Sequence, residues 1–280
     1  MAYHYHSDDN IDADTIKLIV KSGVDLSNSD ESVLFWRSIE NSIVFHNNDL
    51  FHFLLEVAKE HTDEFRSSAF TKSNGYIFAL KVALESYNYD VVKHILETQN
   101  KPQIINPKNW GDRAERTILN FSLVVMAGEF SQYRSGYRNP YRLYLEHKLS
   151  SKDYLYKQRI KIISYIIDYD SQVNIPTGKE RRLKNEFPLH LELAGTTFLN
   201  DDVKILSKLL NNGANPNVQN ALGFTPLHKC NNEEQVKTLL AFGADMNIKN
   251  CYGNTAAESA ELTQSSQPFN IPTPFDNINN

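Results

Sequence analysis

The sequence predicts an all-α fold, a solenoid of about six helix pairs joined by short hairpin loops, with several pairs degenerate. The first observation behind it is an internal repeat, because segments 209–230 and 239–260 align with each other. Three residues recur 30 positions apart: Gly213 with Gly243, Asn217 with Asn247, and Gly223 with Gly253. The second observation is that short amphipathic segments upstream come in pairs. Since a lone helix pair cannot bury its apolar face, such pairs must stack on one another.

Composition limits the function classes. The chain has 280 residues, 41% of them hydrophobic, which is enough for a substantial core. A net charge of −5 gives no general attraction to nucleic acid or anionic membrane. Two cysteines, Cys230 and Cys251, are too few for a disulfide framework and indicate reduced thiols in a cytoplasmic setting. The longest apolar runs are shorter than the roughly 18 residues of a membrane span, and the N-terminus lacks the features of a signal peptide.

The N-terminal part is expected to consist of paired helices. Residues 15–27 have the apolar spacing of a second helix that ends in a turn. Amphipathic helices are then predicted at 33–42 with 50–60, at 76–86 with 90–99, and near 117–129 and 154–169. Each pair is interpreted as one degenerate repeat. The alternative is a separate helical domain with two or three clearer repeats appended to it.

The C-terminal repeat has a recognisable local chemistry. Thr225 is a good N-cap, and Pro226 follows at the first helical position, where its missing N–H costs nothing. A helix is therefore predicted to begin there. Gly243 follows the next helical run and fits a left-handed C-cap, which other residues enter only with strain.

The pattern G-A-[ND]-x-N, then G-x-T-P-L-H, then a helical run ending in Leu-Leu resembles the ankyrin repeat. The match is specific over 222–247, although this repeat is three residues shorter than the usual length of about 33. Residues 187–195 carry P-L-H without the threonine. The resemblance implies that Leu227 points into the stack and that His228 is a buried hydrogen-bonding residue linking neighbouring repeats. It divides the chain into degenerate repeats over 1–184, recognisable repeats over 185–262 and an extended tail over 263–280.

A basic, tyrosine-rich insertion is predicted at about 130–153. Gly136 and Pro140 interrupt any continuous helix there, and residues 134–161 carry eight Lys or Arg against two acidic residues. Arginine pairs with carboxylate or phosphate, and tyrosine supplies rigid contact area, so we expect partner binding through Tyr133, Arg134, Tyr137, Arg138, Tyr141, Arg142 and Tyr144. In the alternative, the tyrosines pack the insertion onto the solenoid and the arginines are solvated or paired internally. A second basic run lies at 179–184.

The ankyrin resemblance implies a non-catalytic module for protein–protein interaction that needs no cofactor. Its concave face would include hairpin-tip residues, here Gln219, Asn220, Ala221, Leu222, Phe224, Lys249, Asn250 and Tyr252. Phe224 and Tyr252 are the expected anchors, with packing inside the hairpin row as the alternative. The expected partner is a protein with an acidic surface, and the chain is expected to be a monomer.

The sequence contains no linear catalytic or metal-binding motif. His4 and His6 form an H-x-H without further ligands at suitable spacing, so no metal site is expected. A cryptic enzyme within 1–184 and a phosphate or nucleic-acid binder using the basic segments stay as alternatives.

The abundance of Asn, Lys, Ile and Tyr, the eroded repeats and the polar tail together resemble effector proteins that intracellular bacteria such as Legionella or Coxiella deliver into host cells. The resemblance implies a virulence role, type IV secretion and a host protein as partner. Ile278, third from the end, is compatible with a translocation signal. A eukaryotic or viral scaffold is the alternative source.

Overall fold

The computed structural model describes residues 14, 17, 21, 29–60, 74–98, 117–126, 152–177, 185–195 and 203–265. These residues form helices and turns and contain no strand, which confirms the predicted all-α class. The α-helices are α1 (Ser29–Val44), α2 (Asn48–Glu60), α3 (Asn74–Glu85), α4 (Tyr89–Thr98), α5 (Ile118–Met126), α6 (Lys152–Tyr169), α7 (Pro188–Gly195), α8 (Lys204–Asn211), α9 (Glu233–Ala241) and α10 (Ala256–Ser265). A 3-10 helix, Pro226–Lys229, precedes α9. The chain divides into two compact units, residues 1–91 and 92–280, with the boundary inside α4.

The first unit uses the same helix-to-helix turn twice. After α1 and after α3, one residue takes a left-handed conformation, His46 with φ 55° and Tyr87 with φ 57°. The asparagine that follows each of them caps the next helix: Asn47 accepts from the N–H of Leu50 at 3.1 Å and Asn88 from that of Val91 at 3.3 Å. The Asn88 side chain also donates to the carbonyl of Ile43 at 2.9 Å, which joins the two turns. Both helix pairs predicted from the sequence are therefore present.

The second unit contains two layers of helices. The first helices of successive pairs, α5, α7, the 3-10 helix and α10, pack on one another in that order. The second helices, α6, α8 and α9, form the other layer in the same order. Every residue of α5 is buried, which explains the apolar character of its sequence. The described part of this unit thus stacks three helix pairs and one further first helix, whereas a run of about six pairs stays a prediction, as does the division at residue 185.

Asparagine side chains join each hairpin to the next one in the second unit. Asn174 donates to the carbonyl of Gly213 at 2.8 Å, and Asn217 donates to the carbonyl of Gly243 at 2.9 Å. In both cases the side-chain oxygen accepts from the N–H two residues after that glycine, at 2.8 Å. Asn217, the final asparagine of the first G-A-[ND]-x-N segment, and Asn174 at the corresponding place one repeat earlier therefore bridge to the following repeat.

One residue of the basic segment is placed differently from the sequence expectation. Arg159 was counted toward a basic surface, but it is 1% exposed and its side chain reaches from α6 to α7. Its two terminal nitrogens bind the two carboxylate oxygens of Glu192 at 3.1 and 2.7 Å. A buried bidentate pair of this kind neutralises the arginine internally, so Arg159 contributes nothing to a basic surface.

The helix predicted at Pro226 begins where expected but is shorter and tighter than an α-helix. Thr225 has the extended backbone of an N-cap, with φ −88° and ψ 168°, and the helix covers four residues in 3-10 geometry. Leu227 is buried, as the repeat pattern predicts.

Candidate functional site

Two hairpin tips of the second unit have the same internal bonding. In the first, the N–H of Asn220 donates to the carbonyl of Phe224 at 3.0 Å, and the Asn220 side-chain oxygen accepts from the N–H groups of Leu222 and Phe224 at 2.9 and 3.0 Å. In the second, Asn250 makes the equivalent three bonds to Tyr252 and Asn254 at 2.9 to 3.2 Å. Each tip is thus held in one conformation by a central asparagine.

This bonding changes the role expected for the two asparagines. Asn220 is 6% exposed and Asn250 is 7% exposed, and their side chains are used inside the loops. We expected both to contact a partner directly. Their position instead makes them supports that shape the loops on which the neighbouring side chains stand.

The two tips are also fastened to each other. The N–H of Cys251 donates to the carbonyl of Leu222 at 3.0 Å. The Gln219 side chain donates to the carbonyl of Gly223 within its own tip, at 2.9 Å, and to that of Lys249 in the next, at 3.1 Å. Adjacent tips therefore present their side chains at a fixed spacing.

The expected aromatic anchors lie side by side but differ in exposure. The ring centroids of Phe224 and Tyr252 are 6.3 Å apart in an edge-to-face arrangement. Phe224 is half-buried, since it also meets the ring of His228 at 5.4 Å and the ammonium of Lys229 at 5.6 Å. Tyr252 is 68% exposed. Phe224 therefore packs within the row, while most of the Tyr252 surface is exposed.

The remaining expected tip residues lie at the surface to different degrees. Gln219, Ala221 and Lys249 are exposed, and Leu222 is half-buried. Lys229, which sequence reasoning did not single out, is half-buried beside Phe224 and lies 3.5 Å from the Glu186 carboxylate. The sequence feature that could have identified Lys229 is its position directly after the P-L-H segment.

Two histidines link the layer of first helices to these tips. His190 accepts from the N–H of Phe187 through Nδ1 at 3.2 Å, so its proton is on Nε2, which donates to the carbonyl of Phe224 at 2.9 Å. His228 repeats the arrangement, accepting from Thr225 at 3.1 Å and donating to Asn254 at 3.1 Å. The prediction that His228 connects neighbouring repeats is confirmed, but the residue is half-buried where burial was expected.

Burial keeps both imidazoles neutral. It lowers the pKa of His190 to about 4, an effect that nearby Lys229 and His228 reinforce and the bond to Phe224 opposes. Burial lowers the pKa of His228 in the same way. Burial also raises the pKa of the Cys230 thiol, which makes it a poor nucleophile. The described residues contain no group of three or more His, Cys, Asp or Glu that could hold a metal ion.

The other expected contact residues lie outside the described ranges. These are Tyr133, Arg134, Tyr137, Arg138, Tyr141, Arg142 and Tyr144. The basic run 179–184 also lies outside them, but its flanks are described. The N–H of Thr177 donates to the carbonyl of Glu186 at 2.8 Å, the same closing bond that joins Asn220 to Phe224 in the following hairpin.

Comparison with known proteins identifies one repeat. Residues 222–251 match the family model described as the ankyrin repeat, so the chain contains an ankyrin repeat. Among solved structures, the chain is similar to one in a complex of a predatory endopeptidase from Bdellovibrio bacteriovorus with an immunity protein. That similarity has 14% sequence identity and a TM-score of 0.48, and it covers 82% of this chain and 93% of the other. No helix in the described ranges has both the length and the apolar character to cross a bilayer.

Proposed function

We propose that this chain is a non-catalytic protein-interaction module that binds another protein through the hairpin tips at 219–224 and 249–252. The ankyrin repeat at 222–251 supports this class of function, since ankyrin repeats are generally binding units. The observation that carries the proposal is Tyr252, which is 68% exposed on a tip whose backbone is fixed by Asn250.

A fixed tip lowers the entropic cost of binding. The bonds of Gln219 and of Cys251 hold the two tips together before any partner arrives. Tyrosine has only two side-chain torsions and a large amphipathic ring, so little freedom is lost when it is buried. Rigid, exposed tyrosines are among the residues that contribute most to interfaces.

The charge of the surface favours an acidic partner. Lys249 is exposed on the same tip as Tyr252, and Lys229 lies beside the adjacent Phe224. The basic insertion at 130–153, with Arg138 and Arg142, is proposed as a second contact for the same partner. Arginine and tyrosine in such a segment suit a carboxylate-rich protein surface.

The source of the partner forms the finer part of the proposal. The composition and the tail favour a bacterial effector whose partner is a host protein. A translocation assay, in which the chain is fused to a reporter, tests delivery into a host cell separately from binding. Binding through the tips does not depend on it.

The test compares Tyr252→Ala with Tyr154→Ala. Tyr154 is 38% exposed on α6 and belongs to neither proposed contact segment, so it is the control. A partner captured by the wild-type chain is identified and purified, and its Kd is then measured for each variant by calorimetry. We expect Tyr252→Ala to weaken binding by at least about tenfold, or about 1.4 kcal/mol, and Tyr154→Ala to leave it unchanged. Equal affinities for wild type and Tyr252→Ala would remove the tips from the interface.

A second arm of the same measurement addresses the insertion. Arg138→Glu with Arg142→Glu is compared with Lys157→Glu and Lys161→Glu, which reverse two exposed charges on α6. Loss of affinity and of its salt dependence in the first variant alone supports the insertion as a contact. Unchanged affinity in the first variant contradicts it.

A further inference from the structure

A chain of contacts connects a buried imidazole to the first hairpin tip. Nδ1 of His190 lies 3.7 Å from Oε2 of Glu186. The other carboxylate oxygen, Oε1, accepts from the Asn220 side chain at 3.0 Å and lies 3.5 Å from the Lys229 ammonium. Asn220 in turn holds the N–H groups of Leu222 and Phe224. Three side chains thus span the distance from the interior to the tip.

Protonation of His190 would put two donors against each other. In the neutral ring, Nδ1 accepts from the N–H of Phe187. A proton on Nδ1 ends that bond and leaves the ring needing an acceptor. The Glu186 carboxylate can become that acceptor by a shift of about 1 Å, since charge-assisted bonds of this kind are about 2.8 Å long.

The same shift would take Glu186 away from Asn220. A charged imidazolium attracts the carboxylate far more strongly than a neutral amide does. Asn220 then loses the partner that orients its side chain, while its oxygen still has to hold both tip amides. We propose that His190, Glu186 and Asn220 form a proton-sensitive relay that loosens the tip at 220–224 when the imidazole becomes charged.

Among the charged groups that face His190, Glu186 is the one that can accept from a protonated ring. Lys229 on the 3-10 helix side opposes protonation of His190, as would His228 if it became charged, and Glu186 is the carboxylate beside Nδ1. Glu192, two residues along α7, is occupied by Arg159 of α6. Residues 118–126 of α5 contain no titratable side chain, and the lysines of α8 are Lys204 and Lys208, of which Lys208 pairs with Asp168 at 2.7 Å.

The second tip provides an internal control. Asn250 is the counterpart of Asn220, but its side chain donates to the hydroxyl of Ser259 at 3.1 Å in place of a carboxylate. His228 donates to this tip as His190 donates to the first one. The two tips therefore share a fold and differ in the carboxylate link.

Hydrogen exchange of single amides, measured by NMR on the free protein, tests the relay. Between pH 6.5 and 4 we expect the protection factors of Leu222 and Phe224 to fall by up to about tenfold per pH unit. Amides within α8 and α9 should follow the free energy of global unfolding, which stays above the opening free energy of the two tip amides throughout. In His190→Gln the fall at Leu222 and Phe224 should disappear, while Tyr252 and Asn254 behave as in the wild type.

Glu186→Gln keeps a side chain that can accept from Asn220 but cannot carry a negative charge. In this variant the ring signals of His190 should still titrate, and the fall at Leu222 and Phe224 should be lost. The relay is overturned if the wild-type fall is absent, if the tip amides open only with the same free energy as the helices, or if the fall persists in either variant. Regulation of partner binding by this relay rests on the proposed function, but the exchange experiment requires no partner and stands apart from it.

Discussion

Gly223 occupies the point where two hairpins come closest. Its φ is +74°, and a Cβ added there would lie 3.0 Å from the backbone nitrogen of Cys251 and 3.1 Å from Cα of Asn250. Those atoms belong to the rigid backbone of the next tip, so they cannot move aside cheaply. Gly253, the equivalent residue one repeat later, has φ +81° and no atom within 4 Å of such a Cβ. The two glycines share a backbone requirement, and only Gly223 has a spatial one.

This difference predicts unequal costs for the same substitution. Gly253→Ala should lower the free energy of unfolding by about 1 to 2 kcal/mol, the cost of a left-handed alanine. Gly223→Ala should cost at least about 1 kcal/mol more, because the added methyl also pushes the tips apart. Urea unfolding followed by circular dichroism measures both. Equal losses in the two variants would show that the tips do not constrain each other.

Single-residue roles were the part of the site that the sequence predicted least well. The chemistry of Thr225, Pro226 and His228 is local to a few positions, and their roles could be read from the pattern. The burial of Arg159 depends on Glu192, which lies 33 residues away, and a count of charges along the chain cannot detect such a pair. Asn220 looked like an exposed tip residue because the sequence does not show that its side chain turns inward.

Among the structural elements, the hairpins depend on asparagine bridges to the repeat that follows. Asn217 makes two such bonds, to the carbonyl of Gly243 and from the N–H of Asp245. Asn247 has the same place in the next repeat, but its side chain donates to Asp245 of its own loop at 3.0 Å. Asn217 thus joins two hairpins, whereas Asn247 is bonded within its own loop.

Replacing Asn217 and Asn247 separately by alanine distinguishes bonds between two hairpins from a bond within one loop. Asn217→Ala should destabilise the protein by about 1 to 2 kcal/mol, since two bonds between hairpins are lost. Asn247→Ala should cost about 0.5 kcal/mol or less, because its bond lies within its own loop and joins no second hairpin. The measurement is the urea midpoint of each variant against the wild type. If Asn247→Ala proved as costly as Asn217→Ala, bridging between repeats would not explain the asparagine.

At the scale of the structural elements, helix pairs could be predicted from apolar spacing and turn residues. The pairs at 33–60 and 76–99 are present with ends close to those expected, because their polar turns contain the capping asparagines Asn47 and Asn88. The shortening of the helix after Pro226 to a 3-10 turn was not predicted. The same residues serve as a start signal for either kind of helix, and packing against α7 and α10 accompanies the tighter form.

For the molecule as a whole, buried neutral histidines make stability depend on pH. His190 has a pKa of about 4 in the folded chain and about 6.5 when unfolded. The unfolded chain therefore takes up a proton as the pH falls below 6.5, whereas the folded chain resists until about pH 4. Stability from this residue is complete above pH 6.5 and is lost progressively on acidification. His228 acts in the same direction.

His190→Gln should reduce that dependence. We expect the wild-type free energy of unfolding to fall between pH 6.5 and 4, with up to about 3 kcal/mol of the loss due to His190. The variant should be less stable at pH 7, where it lacks the bond from Phe187, and its stability should change less with pH. Urea titrations at pH 7, 6 and 5 compare the two slopes. Parallel slopes would mean that His190 is protonated equally in both states.

The all-helical class and the recognisable repeats at the C-terminal end could be predicted because their signals recur at a fixed interval. The grouping of the chain into units divided at residue 91 could not, since it depends on contacts between segments whose sequences carry no repeat. Phe224 and Tyr252 were both expected to be anchors, and their difference in exposure could not be predicted because it depends on the neighbouring rings and Lys229.

The bond that closes each hairpin has one further consequence. It is the same in the hairpin from Thr177 to Glu186 as in the shorter ones from Asn220 to Phe224 and from Asn250 to Asn254, with lengths of 2.8 to 3.0 Å. Loop length is thereby uncoupled from the helical framework. We therefore expect changes in the number or kind of residues between the two bonded ends to leave the stacked helices in place.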